Sequence, residues 1–325
     1  MTRNFINRLP GVPPVESPFF AEIFDAMAVD AQTRRVAEAM HDQGFATINF
    51  PDPEFDQCAE AIKRSLKDRF NGRGSPENND EDEGPRIQDA WKFDANVKRI
   101  AVNETVRALL SILYGRPARP FQTLNFPVGT QQHFHTDSIH FSSMPERFMC
   151  GVWVALEDVD ETNGPLIYYP GSHKWPVYVN EHVRQVGAEL NAIPDYTAMW
   201  QELVRIHDTT PQRFFAKKGQ ALIWAANLLH GGDRQTDKLR TRWSQVTHYF
   251  FDNCAYYSPV FSEPFIGKID FRTVVDIATG APLPNAYVGH AISEDFVRAT
   301  RDGRFLPKGS QGRWRLMSRW MKRNR

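Results

Sequence analysis

Apolar residues recur at helical spacing through the first third of the chain and give way to short strand-like runs in the middle. AQTRRVAEAMHDQ predicts a helix that Asp30 caps and Gly44 ends. A carboxylate at the N-cap accepts from free backbone N–H groups, and glycine takes the left-handed turn that closes a helix. The next run, FATINF, reads as a short strand. In EFDQCAEAIKRSLKDRF, residues Phe55, Cys58, Ile62, Leu66 and Phe70 fall three or four apart, one buried stripe of a helix. NGRGSPENNDEDEGP is a polar, turn-rich loop, and its acidic cluster from Asp80 to Glu83 reads as solvated surface. ETVRALLSILY predicts a further helix between Asn103 and Gly115.

From about residue 120 to 260 the period shortens. FQTLNF, QQHFHTD, RFMCGVWVAL, GPLIYYP, QALIWAAN and RWSQVTHYFF are strand-like and separated by turn residues. Such a series predicts a β-sandwich or a jelly-roll barrel. One insertion, about 174–212, reads as helical through VNEHVRQVGAELNAI and YTAMWQELVRI. The expected organisation is one domain over 1–325: a mainly helical part (1–119), a β core (120–260) and a C-terminal extension (261–325). That extension ends in RWRLMSRWMKRNR, read as a surface helix that packs Trp314, Leu316 and Trp320.

Composition narrows the class. The 325 residues, 41% of them hydrophobic, suffice for a single large core. Charged residues cancel to a formal net charge of zero, which gives no reason to expect nucleic acid or an anionic membrane as partner. Cys58, Cys150 and Cys254 are too few and too scattered for a disulfide framework or a zinc knuckle. No apolar run is long enough to span a bilayer, and the first residues do not resemble a signal peptide. A cytoplasmic location is the expectation.

Candidate chemistry centres on QQHFHTDSIH. On an extended chain His135 and Asp137 point the same way, so one segment offers an imidazole and a carboxylate to one metal ion. With no soft ligand nearby, Fe(II) suits this set better than copper(I) or a zinc-thiolate centre. Two histidines and a carboxylate on one octahedral face leave three positions open. His230, between an apolar run and a Gly-Gly turn, is the candidate third ligand. His133 lies on the same face and is the rival in a His133-x-His135 pair; its expected role is substrate-facing. His140 and His248 are further candidates for the cavity wall.

Twelve residues beyond His230 stands Arg242, followed by Trp243 and Ser244. A guanidinium with a neighbouring hydroxyl suits the distal carboxylate of 2-oxoglutarate, whose keto-acid end would chelate the iron and leave a position for O2. Arg240 shares that face and is the alternative anchor.

With these residues in place the chain resembles the phytanoyl-CoA dioxygenase family. The likeness rests on FHTD, on ALEDVDETNGPLIYYPGSHKW, and on LLHGG followed by RWSQVTHYF. It implies a mainly β fold with flanking helices, a double-stranded β-helix of jelly-roll, cupin-like form. It also implies iron ligands at His135, Asp137 and His230, a 2-oxoglutarate clamp at Arg242 and Ser244, and a co-substrate contact at Asn125. FHTD departs from the family's commoner tryptophan-containing version, which leaves the ligand face intact and alters its wall. The retained Asp137 disfavours the halogenases, which replace that carboxylate. The implied activity is hydroxylation of a small-molecule metabolite or natural-product intermediate, with release of succinate and CO2. Arg86, Trp91 and Trp175, with His133 and His140, are the expected substrate contacts. The alternatives are an acyl-CoA or protein side-chain hydroxylase on the same frame, or a cupin-like metal enzyme that does without 2-oxoglutarate.

Overall fold

The computed structural model describes residues 6–70, 85–132, 134–185 and 193–301. Helices α1 (Phe20–Met27), α2 (Ala31–Gln43), α3 (Phe55–Lys67), α4 (Ala95–Ala101) and α5 (Glu104–Tyr114) dominate the first part, with strands β1 (Phe45–Asn49) and β2 (Ile87–Gln88) between them. There follow β3 (Ala118–Phe126), β4 (Ser142–Met144), β5 (Met149–Ala155), β6 (Leu166–Tyr168), α6 (Ile193–Ile206), β7 (Gln212–Phe214), β8 (Gln220–Ala225), β9 (His230–Gly232), β10 (Ser244–Phe251) and β11 (Ala255–Tyr257). The described chain closes with β12 (Ala286–Tyr287), β13 (His290–Ala291) and α7 (Glu294–Arg301).

Local signals placed α2, α3 and α5. The Asp30 carboxylate accepts from the N–H groups of Gln32 and Thr33, and Gly44 closes α2 at φ 84°. Asn103 accepts from Val106 N–H, and Gly115 closes α5 at φ 68°. The stripe of α3 is buried as its spacing predicts.

Six antiparallel strands form the main sheet in the order β1-β8-β5-β10-β3-β2, and β7-β6-β9 form a second sheet. Alternation along the central strands divides the core in two. Val152 and Val154 of β5, with Ala221 and Ile223 of β8, join one apolar cluster with Phe24, Met40, Ile62 and Leu110 of the helices. Trp153 and Ala155, with Leu222 and Trp224, face the second sheet and meet Tyr168 and Phe214 there. Trp153 and Phe214 sit edge to face at 5.9 Å, and Phe45 lies 4.3 Å from Tyr168. Both faces of the central strands are therefore covered, which is why they read as near-continuous apolar runs. The three cysteines are buried and free, and among the described residues no helix is long and apolar enough to cross a membrane.

Several expectations are corrected. QQHFHTD does not form a strand: His135 makes one isolated bridge to His230, and Asp137 opens a 3-10 turn, Asp137–Ile139. Arg242 precedes β10 rather than lying within it. Of the insertion, the second run lies in an α-helix, α6, and the described residues 179–185 of the first hold a 3-10 turn, Asn180–Val183. The acidic cluster from Asp80 to Glu83, His133 and the basic C-terminal run lie outside the described residues.

Two outcomes follow. A methyl at Gly151 would meet Trp224 Cζ2 at 2.2 Å, because the two residues are paired across β5 and β8. Gly151→Ala is expected to cost about 1–3 kcal/mol, read as a lowered melting temperature; an unchanged one would mean the indole yields freely. His173 is 1% exposed, and burial pushes its pKa down to about 4, outweighing the hydrogen bond between its Nε2 and His41 O. The unfolded chain binds that proton near pH 6.5, so stability should fall as pH drops from about 6.5 toward 4. Melting curves of chelator-treated protein check this, and a flat profile over that window would contradict it.

Candidate metal centre

Two backbone hydrogen bonds bring the proposed ligands together. His135 N–H donates to His230 O at 2.9 Å, and His230 N–H donates to His135 O at 3.0 Å. Their imidazole centroids stand 4.5 Å apart. Asp137 follows one extended residue later. Its turn is pinned to the loop after β8, where Ser138 N–H donates to Ala226 O at 3.1 Å and Ser138 Oγ bonds Asn227 Oδ1 at 2.8 Å. Ligand atoms from His135, Asp137 and His230 all lie within 4.8 Å of one another, a spacing that one ion can bridge.

The two oxygens of Asp137 have separate tasks. Oδ1 faces the two imidazoles, 3.7 Å from His135 Nε2 and 4.0 Å from His230 Nε2. Oδ2 accepts a 2.8 Å hydrogen bond from the Trp224 indole. Burial pushes the Asp137 pKa up, but His230, His248, His135 and the Trp224 N–H outweigh it and hold the carboxyl below its usual value. Burial pulls His230 down to about 4, against the attraction of Asp137. At neutral pH the pair is thus carboxylate and neutral imidazole, the forms that bind a metal. His230 Nδ1 lies 2.9 Å from Leu228 O, which fixes the tautomer and leaves Nε2 its lone pair.

A fourth imidazole closes the wall. His248 Nδ1 donates to Gln122 Oε1 at 2.9 Å, and its Nε2 lies 3.7 Å from Asp137 Oδ2. Burial pushes its pKa down as well.

Arg242 lines the same cavity and is 1% exposed. Its Nη2 reaches Val128 O at 3.4 Å, while Nε and Nη1 are buried without a hydrogen-bond partner among the described residues. Burial lowers its pKa to about 10, so the group is cationic at neutral pH. Ser244 Oγ, also buried, has no hydrogen-bond partner among the described residues either. Alternation along β10 puts Ser244 on one face with Val246 and His248, both of which line the cavity. Arg240, the alternative anchor, instead makes a half-exposed ion pair with Asp160 at 2.6 Å.

The remaining candidates separate. Arg86 and His140 line the cavity, whose volume is about 730 Å³. Trp91 does not; its indole donates to Asp89 Oδ1 at 3.2 Å beside the main core. Trp175 stacks on His207 at 4.9 Å and packs with the cluster around Tyr196 and Trp200. Asn125 lies on the far face of β3 and donates to Gln245 Oε1 at 3.2 Å. The face of β3 that lines the cavity carries Gln122, Leu124 and Phe126. The sequence reading missed Trp224, Gln122 and Arg272. The only sequence signal for Trp224 is an inward position in QALIWAAN; its pairing with Gly151, which makes room for the indole, belongs to the sheet register.

A family model described as phytanoyl-CoA dioxygenase matches residues 20–242. Over 134 residues, 40% of this chain, the sequence is 28% identical to the peroxisomal phytanoyl-CoA dioxygenase of Rattus norvegicus. It is 29% identical over 135 residues to a probable phytanoyl-CoA dioxygenase of Caenorhabditis elegans. These matches span 36% and 39% of the lengths of the two relatives. Among solved structures, the epimerase SnoN with Fe3+, alpha ketoglutarate and nogalamycin RO superposes with a TM-score of 0.52 at 19% identity, covering 82% of this chain and 97% of that one. EctD from S. alaskensis with 2-oxoglutarate and 5-hydroxyectoine gives 0.52 at 17% identity, covering 71% and 79%. At such identities the structural likeness is one of fold, while the family match extends over most of the sequence: the chain belongs to the phytanoyl-CoA dioxygenase family.

Proposed function

We propose that this protein is an Fe(II)- and 2-oxoglutarate-dependent dioxygenase that hydroxylates a small organic molecule. One observation carries the reading: a His-Asp-His cluster shares a cavity with a buried arginine whose Nε and Nη1 have no partner among the described residues. A guanidinium buried without a counter-ion is costly, and a carboxylate would relieve that cost. The overall reaction balances as substrate C–H, O2 and 2-oxoglutarate giving substrate C–OH, succinate and CO2. We read the two facing sheets as a double-stranded β-helix and the whole chain as one oxygenase unit.

His135, Asp137 and His230 would hold Fe(II), and three open positions would remain for co-substrate and O2. Bound iron supplies the O2 activation that protein side chains lack. The protein's own groups do the rest. Trp224 restrains Asp137 Oδ2 so that Oδ1 stays aimed at the histidines. Arg242 and Ser244 would grip the distal carboxylate of 2-oxoglutarate. Phe134, Phe141, Trp200 and Phe261 wall the cavity and keep water from the reacting centre.

The direct test is succinate formation that requires Fe(II), O2 and 2-oxoglutarate together. Arg242→Ala should raise the KM for 2-oxoglutarate at least about tenfold, the scale of a lost charge-assisted pair. An unchanged KM would remove the anchor. Trp224→Phe should weaken metal binding by about 10–100-fold, as read by anaerobic Co(II) titration, and wild-type affinity in that variant would show that the indole does not orient Asp137.

A further inference from the structure

A further guanidinium enters the cavity from a segment that the family match does not reach. Arg272 lies thirty residues beyond Arg242 and lines the same cavity as the His-Asp-His cluster. Its backbone is tied on both sides. Ser258 N–H donates to Asp270 O at 3.0 Å, Arg272 N–H donates to Tyr256 O at 2.7 Å, and Phe271 bridges Tyr257. Asn285 Nδ2 then holds Arg272 O at 3.1 Å. The side chain is placed as firmly as one on a strand.

Among the described residues its charge is only partly met. Nη1 donates to Ser258 Oγ at 2.9 Å, and the guanidinium carbon stands 4.6 Å from the centre of the Phe141 ring. Nε is buried without a partner, and no carboxylate lies within 4 Å of the group among the described residues. The two acidic side chains that act on it from farther off are engaged elsewhere: Asp270 pairs with Arg301 at 3.6 Å, and Asp89 with Lys92 at 3.3 Å. Arg86 and Arg272 both bear electrostatically on His140, so this end of the cavity is basic. The surrounding wall is apolar, with Phe134, Phe141, Trp200 and Phe261.

We propose that Arg272 receives a carboxylate of the organic substrate, so that the substrate is a small carboxylic acid whose apolar body lies against these aromatic rings. This rests on the oxygenase reading and deepens it. Arg242 would then serve the co-substrate and Arg272 the compound oxidised, with Arg86 adding to the positive charge at that end of the cavity. Arg272 would hold one end of the substrate and so choose which of its carbon atoms approaches the His-Asp-His cluster. A carboxylate suits a lone guanidinium, whose planar donors match its two oxygens.

The test is a titration by ligand-observed NMR that needs neither iron nor turnover. Octanoate, octanamide and octyl phosphate are the probes, and Arg242→Gln is the background, so that the co-substrate anchor does not compete. Octanoate should bind this protein, and adding Arg272→Gln should weaken it about 10- to 100-fold. Arg272→Lys should recover part of the loss, and octanamide should bind weakly to all. The same comparison in the Arg242-containing protein, with 2-oxoglutarate and Zn(II) present, serves should Arg242→Gln not fold. Circular dichroism and melting temperature verify the fold of each variant. Equal affinity for octanoate and octanamide would overturn the proposal, as would octanoate binding that ignores Arg272→Gln. Tighter Arg272-dependent binding of octyl phosphate than of octanoate would replace the carboxylic acid with a phosphate ester. Octanoate binding that depends on Arg272 in a protein that forms no succinate would leave this inference standing and refute the oxygenase reading; succinate formation without it would do the reverse.

Discussion

The reciprocal pair of backbone hydrogen bonds between His135 and His230 is the constraint on which the centre depends. These residues are far apart in sequence, and nothing in their side chains draws them together. Each backbone donates to and accepts from the other, as in a hydrogen-bonded pair of an antiparallel ladder. Both imidazoles then leave one short bridge at a fixed separation, before any ion arrives. The Asp137 turn, anchored to Ala226 and Asn227 after β8, adds the third group. Pre-organisation by backbone rather than by metal means that little reordering would be left for binding to supply.

Around that bridge the protein accepts an unusual concentration of buried polar groups. Asp137, His230, His248 and Arg242 are all within the interior. Each is costly there alone, yet their arrangement divides the cost. The Trp224 indole compensates Asp137; Gln122 and Leu228 O orient His248 and His230. The two arginines remain undercompensated. Their unmet donors are the groups that the proposed carboxylates would satisfy.

Much of this was legible at the level of residues. The Asp30–Gly44 and Asn103–Gly115 helices announce themselves because caps and stripes are local. The His135–Asp137 spacing survives the loss of the expected strand: Thr136 keeps an extended conformation, at φ −110° and ψ 139°, so both side chains still emerge together. Asn125 shows the opposite case. Strand alternation reverses with a shift of one residue, and the register of β3 sends Asn125 toward Gln245 and the helices instead of the cavity. Trp91 and Trp175, expected to contact substrate, each pack into apolar surroundings elsewhere.

The sequence alone therefore determined helices α2, α3 and α5 and most of the strands, and it put the candidate ligand types and the arginine-serine pair in view, since each depends on neighbours within a turn or two of the same segment. The tertiary structure decided the remainder: that His230 and not another histidine bridges His135, that Trp224 holds Asp137 across from Gly151, and that Arg272 reaches the same cavity. Those outcomes are set by strand register and by loops that close over long separations. Such pairings are chosen by the packing of the whole core, and no local pattern of residues records them.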